Sequence, residues 1–390
     1  MTAGTVVALE PLLRALVAAD SSNPPGDERP VAAAIERTAA ELGLPQAHVL
    51  ARDVQRPNLL FELGGGSPTL LIGAHMDTVP PDDLGAWHTD PHVLRAEGET
   101  YVGLGVADMK GAIAAMLLAA ARLRGRLPAG RLLLAFTADE EDATGHGMEW
   151  LCEQRLLAAD AAVLLEPGSA TERSWDALYV GERGSCVVEL TAHGRAGHSG
   201  EPLSASARAG TALLDGLGAL RAADLFAGHR HAVDGTGPIV NLPTMLSGGT
   251  TPWAHPGSFH ATLEIRTVPG MRPDDVLGEL RDVLRADGLD ERVTLALGSW
   301  GEPSATVTDA RLLAAARRAL DATLGHVPAD AVFPASTDAG FLARIGIPTL
   351  PALGPGTLGA VHRPNEWVPR EDLERTVDLV EQLALAYLGG

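Results

Sequence analysis

Up to about residue 180, the polar and apolar positions alternate between two rhythms. Segments 9–19 and 30–42 space their apolar residues three and four apart, which predicts two helices, with Gly43 placed to end the second. Runs 70–74, 132–137 and 161–166 are short and continuously apolar, the pattern of strands buried on both faces. Between the first two runs, 111–123 predicts a helix of small residues, apolar on nearly every side and therefore interior. Strand, helix and strand in this order predict an α/β sheet, whose ligands gather at the carboxyl ends of the strands.

The rhythm changes near residue 183. Segments 186–193, 239–246 and 258–267 read as longer strands, with amphipathic helices near 205–220 and 273–285. From about 300 the first rhythm returns, with a helix at 310–323, a short strand at 348–350 and a last helix at 370–388. The expectation is one discontinuous α/β domain, residues 1–182 and 299–390, built on a mixed sheet with helices on both faces. Residues 183–298 form a smaller α+β insertion. No internal repeat or low-complexity tract interrupts the pattern.

Composition narrows the partners. With 390 residues, 46% of them hydrophobic, and 44 glycines and 27 prolines, the chain reads as globular with room for two domains. A formal charge of -20 argues against nucleic acid or an anionic membrane as partner. Cys152 and Cys186 allow one bridge at most and no zinc-finger spacing, which suits a reducing cytoplasm. The first residues lack a basic stretch followed by an apolar core, so no secretion signal is expected. The longest apolar stretch, 112–121, is about half a membrane span. A soluble cytoplasmic protein is expected.

The candidate chemistry sits where the pattern puts loops. His75 in GAHMDTVP, Asp108 in GLGVADMKGA, Glu140 and Glu141 in TADEED, Glu166 in VLLEPG and His362 in GAVHRPNE each follow an apolar run or a glycine-rich turn. Imidazole nitrogen and carboxylate oxygen are zinc ligands, and a catalytic site keeps a position open for water. Two histidines and four carboxylates suffice for two ions, one shared carboxylate bridge and one carboxylate left over as general base. Asp77, two residues past His75, supplies the acceptor that a ligating imidazole needs on its other nitrogen. The turn before Asp108 fits neither GxGxxG nor GxxxxGK[ST], so a nucleotide loop is not the reading. The HxH of His229 and His231 reads as surface decoration in a polar loop.

The set GAHMDTVP, DMKGA, DEE, LEPG, GRAGHSGEP, LEIRTVPG and GPGTLGAVHRPNE resembles the di-zinc family of acetylornithine deacetylase, succinyl-diaminopimelate desuccinylase, aminoacylase and glutamate carboxypeptidase. The resemblance runs over nearly the whole chain. It implies that His75, Asp108 and Glu166 hold one zinc and that Asp108, Glu141 and His362 hold the other. Cobalt or manganese could replace zinc. Asp77 would orient His75, Glu140 would be the general base, and the peptide after Asp108 would be cis. The insertion would be a lid and dimerisation domain, with His198 reaching across the interface of a homodimer to the oxyanion. Arg266 would grip a substrate carboxylate, with Gly354 and Gly356 lining the same pocket.

Together these imply a hydrolase that cleaves an amide bond of an N-acyl amino acid or small peptide with a free carboxylate, through a metal-bridging water activated by a glutamate. Two alternatives stand beside it: a dinuclear aminopeptidase that recognises a free amine, and a non-catalytic binding protein on the same scaffold. Arg266 disfavours the first, and the complete set of base and ligands disfavours the second. The chain departs from the family pattern where GGTTPWAHPGSF stands in place of an Asn-x-x-Pro motif, where Leu104 stands for a frequent arginine, and where Ala112 stands for a second glycine.

Overall fold

The computed structural model describes residues 4–171 and 173–390, and the chain divides into two compact units. One runs to Gly181 and takes in Thr306–Phe333 and Thr337–Gly390; the other is Glu182–Ala305 with Pro334–Ser336.

The first unit is built on a six-stranded sheet in the order His48–Ala51, Pro57–Gly64, Arg131–Thr137, Thr69–His75, Ala161–Leu164 and Thr349–Leu350. Four of these strands run parallel, and the two at one edge pair antiparallel, so the sheet is mixed. Every residue of Thr69–His75 is buried, as its unbroken apolar run requires. On one face, Leu71, Leu133, Ala135 and Leu164 pack with Met148, Leu151 and Leu342 from the short helices Met148–Glu153 and Ala339–Arg344. The other face meets the helices Lys110–Leu123 and Arg370–Gly389. The mixed α/β class with helices on both faces is the one anticipated.

Helix boundaries follow local chemistry. Ala310–Leu324 begins where the Asp309 side chain accepts a hydrogen bond from the Leu312 amide at 2.6 Å, and it ends on Gly325 at φ 78°. Arg29–Glu41 carries Pro30 in its first turn and is followed by Gly43 at φ 68°. Lys110–Leu123 is buried except at Ala121 and Arg122 near its end, and even Lys110 is enclosed, with its ammonium donating to the Ala19 carbonyl at 2.8 Å.

In the second unit four antiparallel strands follow the order Ile239–Gly248, Ser258–Thr267, Gly184–His193 and Val293–Gly301. One face, carrying Val188, Leu190, Leu263 and Ile265, packs with Leu213, Leu280 and Leu284 from the helices Ala209–Ala222 and Pro273–Ala286. The fourth strand is not foreseen by the sequence pattern, because a bulge between Leu297 and Ser299 breaks its alternation. The helix expected from 205 starts at Ala209, after a single 3-10 turn at Ala205–Ala207. His231 corrects the surface reading of the HxH pair. It is 1% exposed, and its Nδ1 accepts from the Val233 amide. No helix among the described residues is long and apolar enough to cross a membrane.

Candidate metal centre

Three adjacent parallel strands deliver four of the candidates at their carboxyl ends. His75 closes Thr69–His75, Glu140 and Glu141 follow Arg131–Thr137, and Glu166 follows Ala161–Leu164. Asp108 comes from the turn before Lys110–Leu123, and His362 from a loop where it takes a left-handed φ of 54°. All six converge. Asp108 sits between the two imidazoles, with Oδ1 3.0 Å from His75 Nε2 and Oδ2 3.3 Å from His362 Nε2. Glu166 Oε2 is 3.8 Å from His75 Nε2, and Glu141 Oε2 is 3.0 Å from His362 Nε2. Donor atoms of His75, Asp108 and Glu141 all lie within 4.8 Å of one another, close enough to hold a metal ion.

Protonation follows from this crowding. Burial would raise the Asp108 carboxyl, but hydrogen bonds from His362 and His75 hold it below the usual carboxylate range. Burial opposes charge on His75, yet Glu166, Asp108 and Asp77 hold its pKa well above that of a free imidazole. Hydrogen bonds to Asp108 and Glu141 push His362 up to about 11. Glu140 and Glu166 are held well above the usual carboxylate range, first by burial. Four carboxylates thus crowd two imidazoles, an excess of negative groups that a cation would balance. The donor set of nitrogen and oxygen atoms fits divalent metal.

Asp77 organises the rear of the centre. The Nδ1 of His75 lies 3.0 Å from the Asp77 carbonyl oxygen and 3.5 Å from its Oδ1. The same carboxylate accepts from the Glu140 and Glu141 amides, each at 3.1 Å, and from Asn23 Nδ2 at 2.9 Å. Asp77 therefore sets both an imidazole and the turn bearing the two glutamates. Asp77→Asn is expected to weaken metal affinity roughly ten- to a hundredfold, as loss of such support usually does. A competitive chelator titration measures it.

Several supporting groups were not legible in the sequence. Glu366 accepts from the amides of Gly105 and Ala107 at 2.8 Å and Asp108 at 3.0 Å, fixing the turn that aims Asp108. Asp139 adopts φ 62° and accepts from Asn23, Arg56, Thr144 and the His146 amide. Arg56 is buried between Asp139 and Glu28. The one available signal was position: Glu366 lies four residues after His362, and Asp139 precedes Glu140. The Asp108–Met109 peptide is cis.

Gly354 and Gly356 lie in a buried loop zipped to the strand end bearing Glu166. The Gly354 amide donates to the Glu166 carbonyl at 2.8 Å, and a Cβ on Gly354 would sit 2.0 Å from the Leu165 carbonyl oxygen. The Gly356 amide donates to Ser174 Oγ, which in turn donates to Asp372. Beside His362 opens a cleft of about 390 Å³ lined also by Val79, Pro80, Pro81, Asp82, Trp87, Leu104 and Arg363.

His198 and Arg266 belong to the second unit. His198 is exposed in the two-residue strand Gly197–His198, paired with Ala254–His255, and its Nδ1 accepts from the Gly200 amide at 3.0 Å. Arg266 Nε lies 2.8 Å from Glu264 Oε1 on the same strand.

A model of peptidase family M20/M25/M40 matches residues 71–386. The chain belongs to this family. This M20 chain is 32% identical over 340 residues to a succinyl-diaminopimelate desuccinylase of Alkalilimnicola ehrlichii, covering 85% of this chain and 87% of the relative. An M20 family metallo-carboxypeptidase of Sulfolobus solfataricus shares the fold with a TM-score of 0.75 at 18% identity, over 97% of this chain and 98% of that one. A dinuclear metal-binding peptidase of the M20 family from Bacillus subtilis does so with a TM-score of 0.67 at 18% identity, over 99% of both chains. The family expected from the motifs is the family found. The M20 chain is a metal-dependent hydrolase.

Proposed function

We propose that this M20 hydrolase binds two divalent ions, zinc by preference, and cleaves the amide bond of an N-acyl amino acid or small peptide bearing a free carboxylate. One observation carries the reading: Asp108 turns one oxygen to each of two imidazoles, and Glu140 is left over near His75, Glu141 and Glu166. His75, Asp108 and Glu166 would hold one ion, and Asp108, Glu141 and His362 the other. When bound, the pair supplies Lewis acidity that acidifies water and polarises a carbonyl.

The protein's own residues supply the rest. Glu140 removes a proton from the attacking water as its oxygen bonds to the amide carbon. Glu140 then gives that proton to the leaving nitrogen as the C–N bond breaks, releasing an acid and an amine. His198 donates to the oxyanion from the partner copy of a homodimer. The Gly200 amide on its Nδ1 favours the tautomer with hydrogen on Nε2, which suits a donor. Exposed Met245 and Leu246 on the edge strand Ile239–Gly248, and Leu214 on Ala209–Ala222, support pairing of two copies through the second unit. Two free buried cysteines suit a cytoplasmic setting.

Arg266 would hold the substrate carboxylate through its planar fork. N-acetyl, N-succinyl and N-formyl amino acids and dipeptides, compared with their methyl amides, test this. The free acids should be the better substrates, and Arg266→Ala should raise KM strongly for the acids and little for the amides. Equal losses on both series would make Arg266 structural, a packing residue beside Glu264.

A further inference from the structure

We propose that the cleft beside His362 is a subsite for an uncharged, apolar substituent of the amide substrate, an aliphatic chain or a ring. The proposal rests on the amide-hydrolase reading and narrows its substrate class. The cleft adjoins the metal centre directly. His362 forms part of its wall while its Nε2 faces Glu141, and the amide of Val79, another wall residue, donates to Glu141 Oε1 at 3.2 Å.

The walls are largely apolar, with the unpartnered indole N–H of Trp87 as the polar exception. Leu104 is 2% exposed and Trp87 8%, and Val79, Pro80 and Pro81 add no hydrogen-bonding side chain. The charged lining residues are of opposite sign: Asp82 and Arg363 are both exposed, and Arg363 already donates to the Gly359 carbonyl. A carboxylate placed between these walls would lose its water to mostly apolar surface and meet Asp82 as well as Arg363, so it gains little net charge pairing for that cost. An apolar group gains instead, by roughly fourfold in affinity for each methylene buried.

The walls are also held in place before any ligand arrives. The Leu104 amide donates to the Pro91 carbonyl at 2.8 Å, and its neighbours Gly103 and Gly105 donate to the carbonyl and carboxylate of Glu366. Trp87 is clasped on both sides by one amide side chain. Asn365 accepts from the His88 amide at 2.8 Å and donates to the Ala86 carbonyl at 2.9 Å. Asn365 and Glu366 belong to the same segment as His362, so the subsite and the metal centre are positioned together. At about 390 Å³ the space suits a branched chain or single ring.

The test uses isosteric pairs on the metal-loaded enzyme: N-(4-methylpentanoyl)- against N-succinyl-alanine, and N-acetyl-leucine against N-acetyl-aspartate. In at least one pair the apolar member should lead by at least about tenfold in kcat/KM. Leu104→Arg should erode that lead by a similar factor with metal content intact. Pro81→Arg, on a more exposed part of the wall, should act in the same direction and guards against a folding defect in the first variant. Hydrolysis without an apolar lead, or a lead that neither substitution moves, overturns the subsite. No hydrolysis of any of the four by the loaded wild type instead overturns the amide-hydrolase reading on which it stands.

Discussion

Replacing Glu140 by glutamine is expected to lower kcat by at least roughly a hundredfold while both metals and the fold remain. The backbone argues that the fold survives. Glu140 is held through its amide, which donates to Asp77 Oδ1 at 3.1 Å, and that bond is indifferent to the side chain. The close carboxylate partners of the two imidazoles are Asp108, Glu166, Glu141 and Asp77, so a glutamine at 140 leaves those contacts standing. What it removes, on the proposed mechanism, is the group that would carry a proton from water to the leaving amine. Glu141→Gln serves as the contrast. Glu141 faces His362 Nε2 with one oxygen and accepts the Val79 amide with the other, so its loss should empty a metal position as well as reduce turnover. Elemental analysis and steady-state kinetics on the two variants separate the roles. Normal metal in both with unchanged activity would remove the central assignment.

The reason these positions are legible in the sequence is geometric. A strand buried on both faces must be a continuous apolar run, so its end is visible, and the polar residue just beyond it can only point from the carboxyl edge of the sheet. His75, Glu140, Glu141 and Glu166 were all found that way. Groups that act through backbone hydrogen bonds leave no such trace. Glu366 grips a turn some 260 residues earlier in the chain, at Gly105, Ala107 and Asp108, and no local pattern announces it. Arg56 is buried beside Glu28 and Asp139, though arginine in a polar stretch reads as surface. His231 fails for the same reason, since its loop folds over it. In the second unit, Val293–Gly301 escaped because a bulge moves the alternation by one residue, and the edge strand Ile239–Gly248 was visible because it keeps β-branched and aliphatic residues despite exposure.

Mixing an inactive His198→Ala homodimer with an inactive Glu140→Gln homodimer should restore activity after subunit exchange. Each parent lacks one group at both of its sites. If the second unit dimerises and His198 serves the neighbouring copy, the heterodimer contains one site with both defects and one with neither. Activity should then rise to at most about half the wild-type value per heterodimer, since one of two symmetry-related sites is repaired. The choice of His198 rests on its exposure and on the Gly200 amide at its Nδ1, which leaves Nε2–H as the outward donor. Its removal should cost kcat more than metal affinity, because the candidate ligands all lie in the other unit. Native mass spectrometry establishes exchange, and kinetics on the mixture reads the repair. If exchange is complete and no activity returns, His198 does not act in trans, and it is then a loop residue holding Gly200. A fall in metal content of the His198→Ala parent would make its role structural and would equally defeat the assignment.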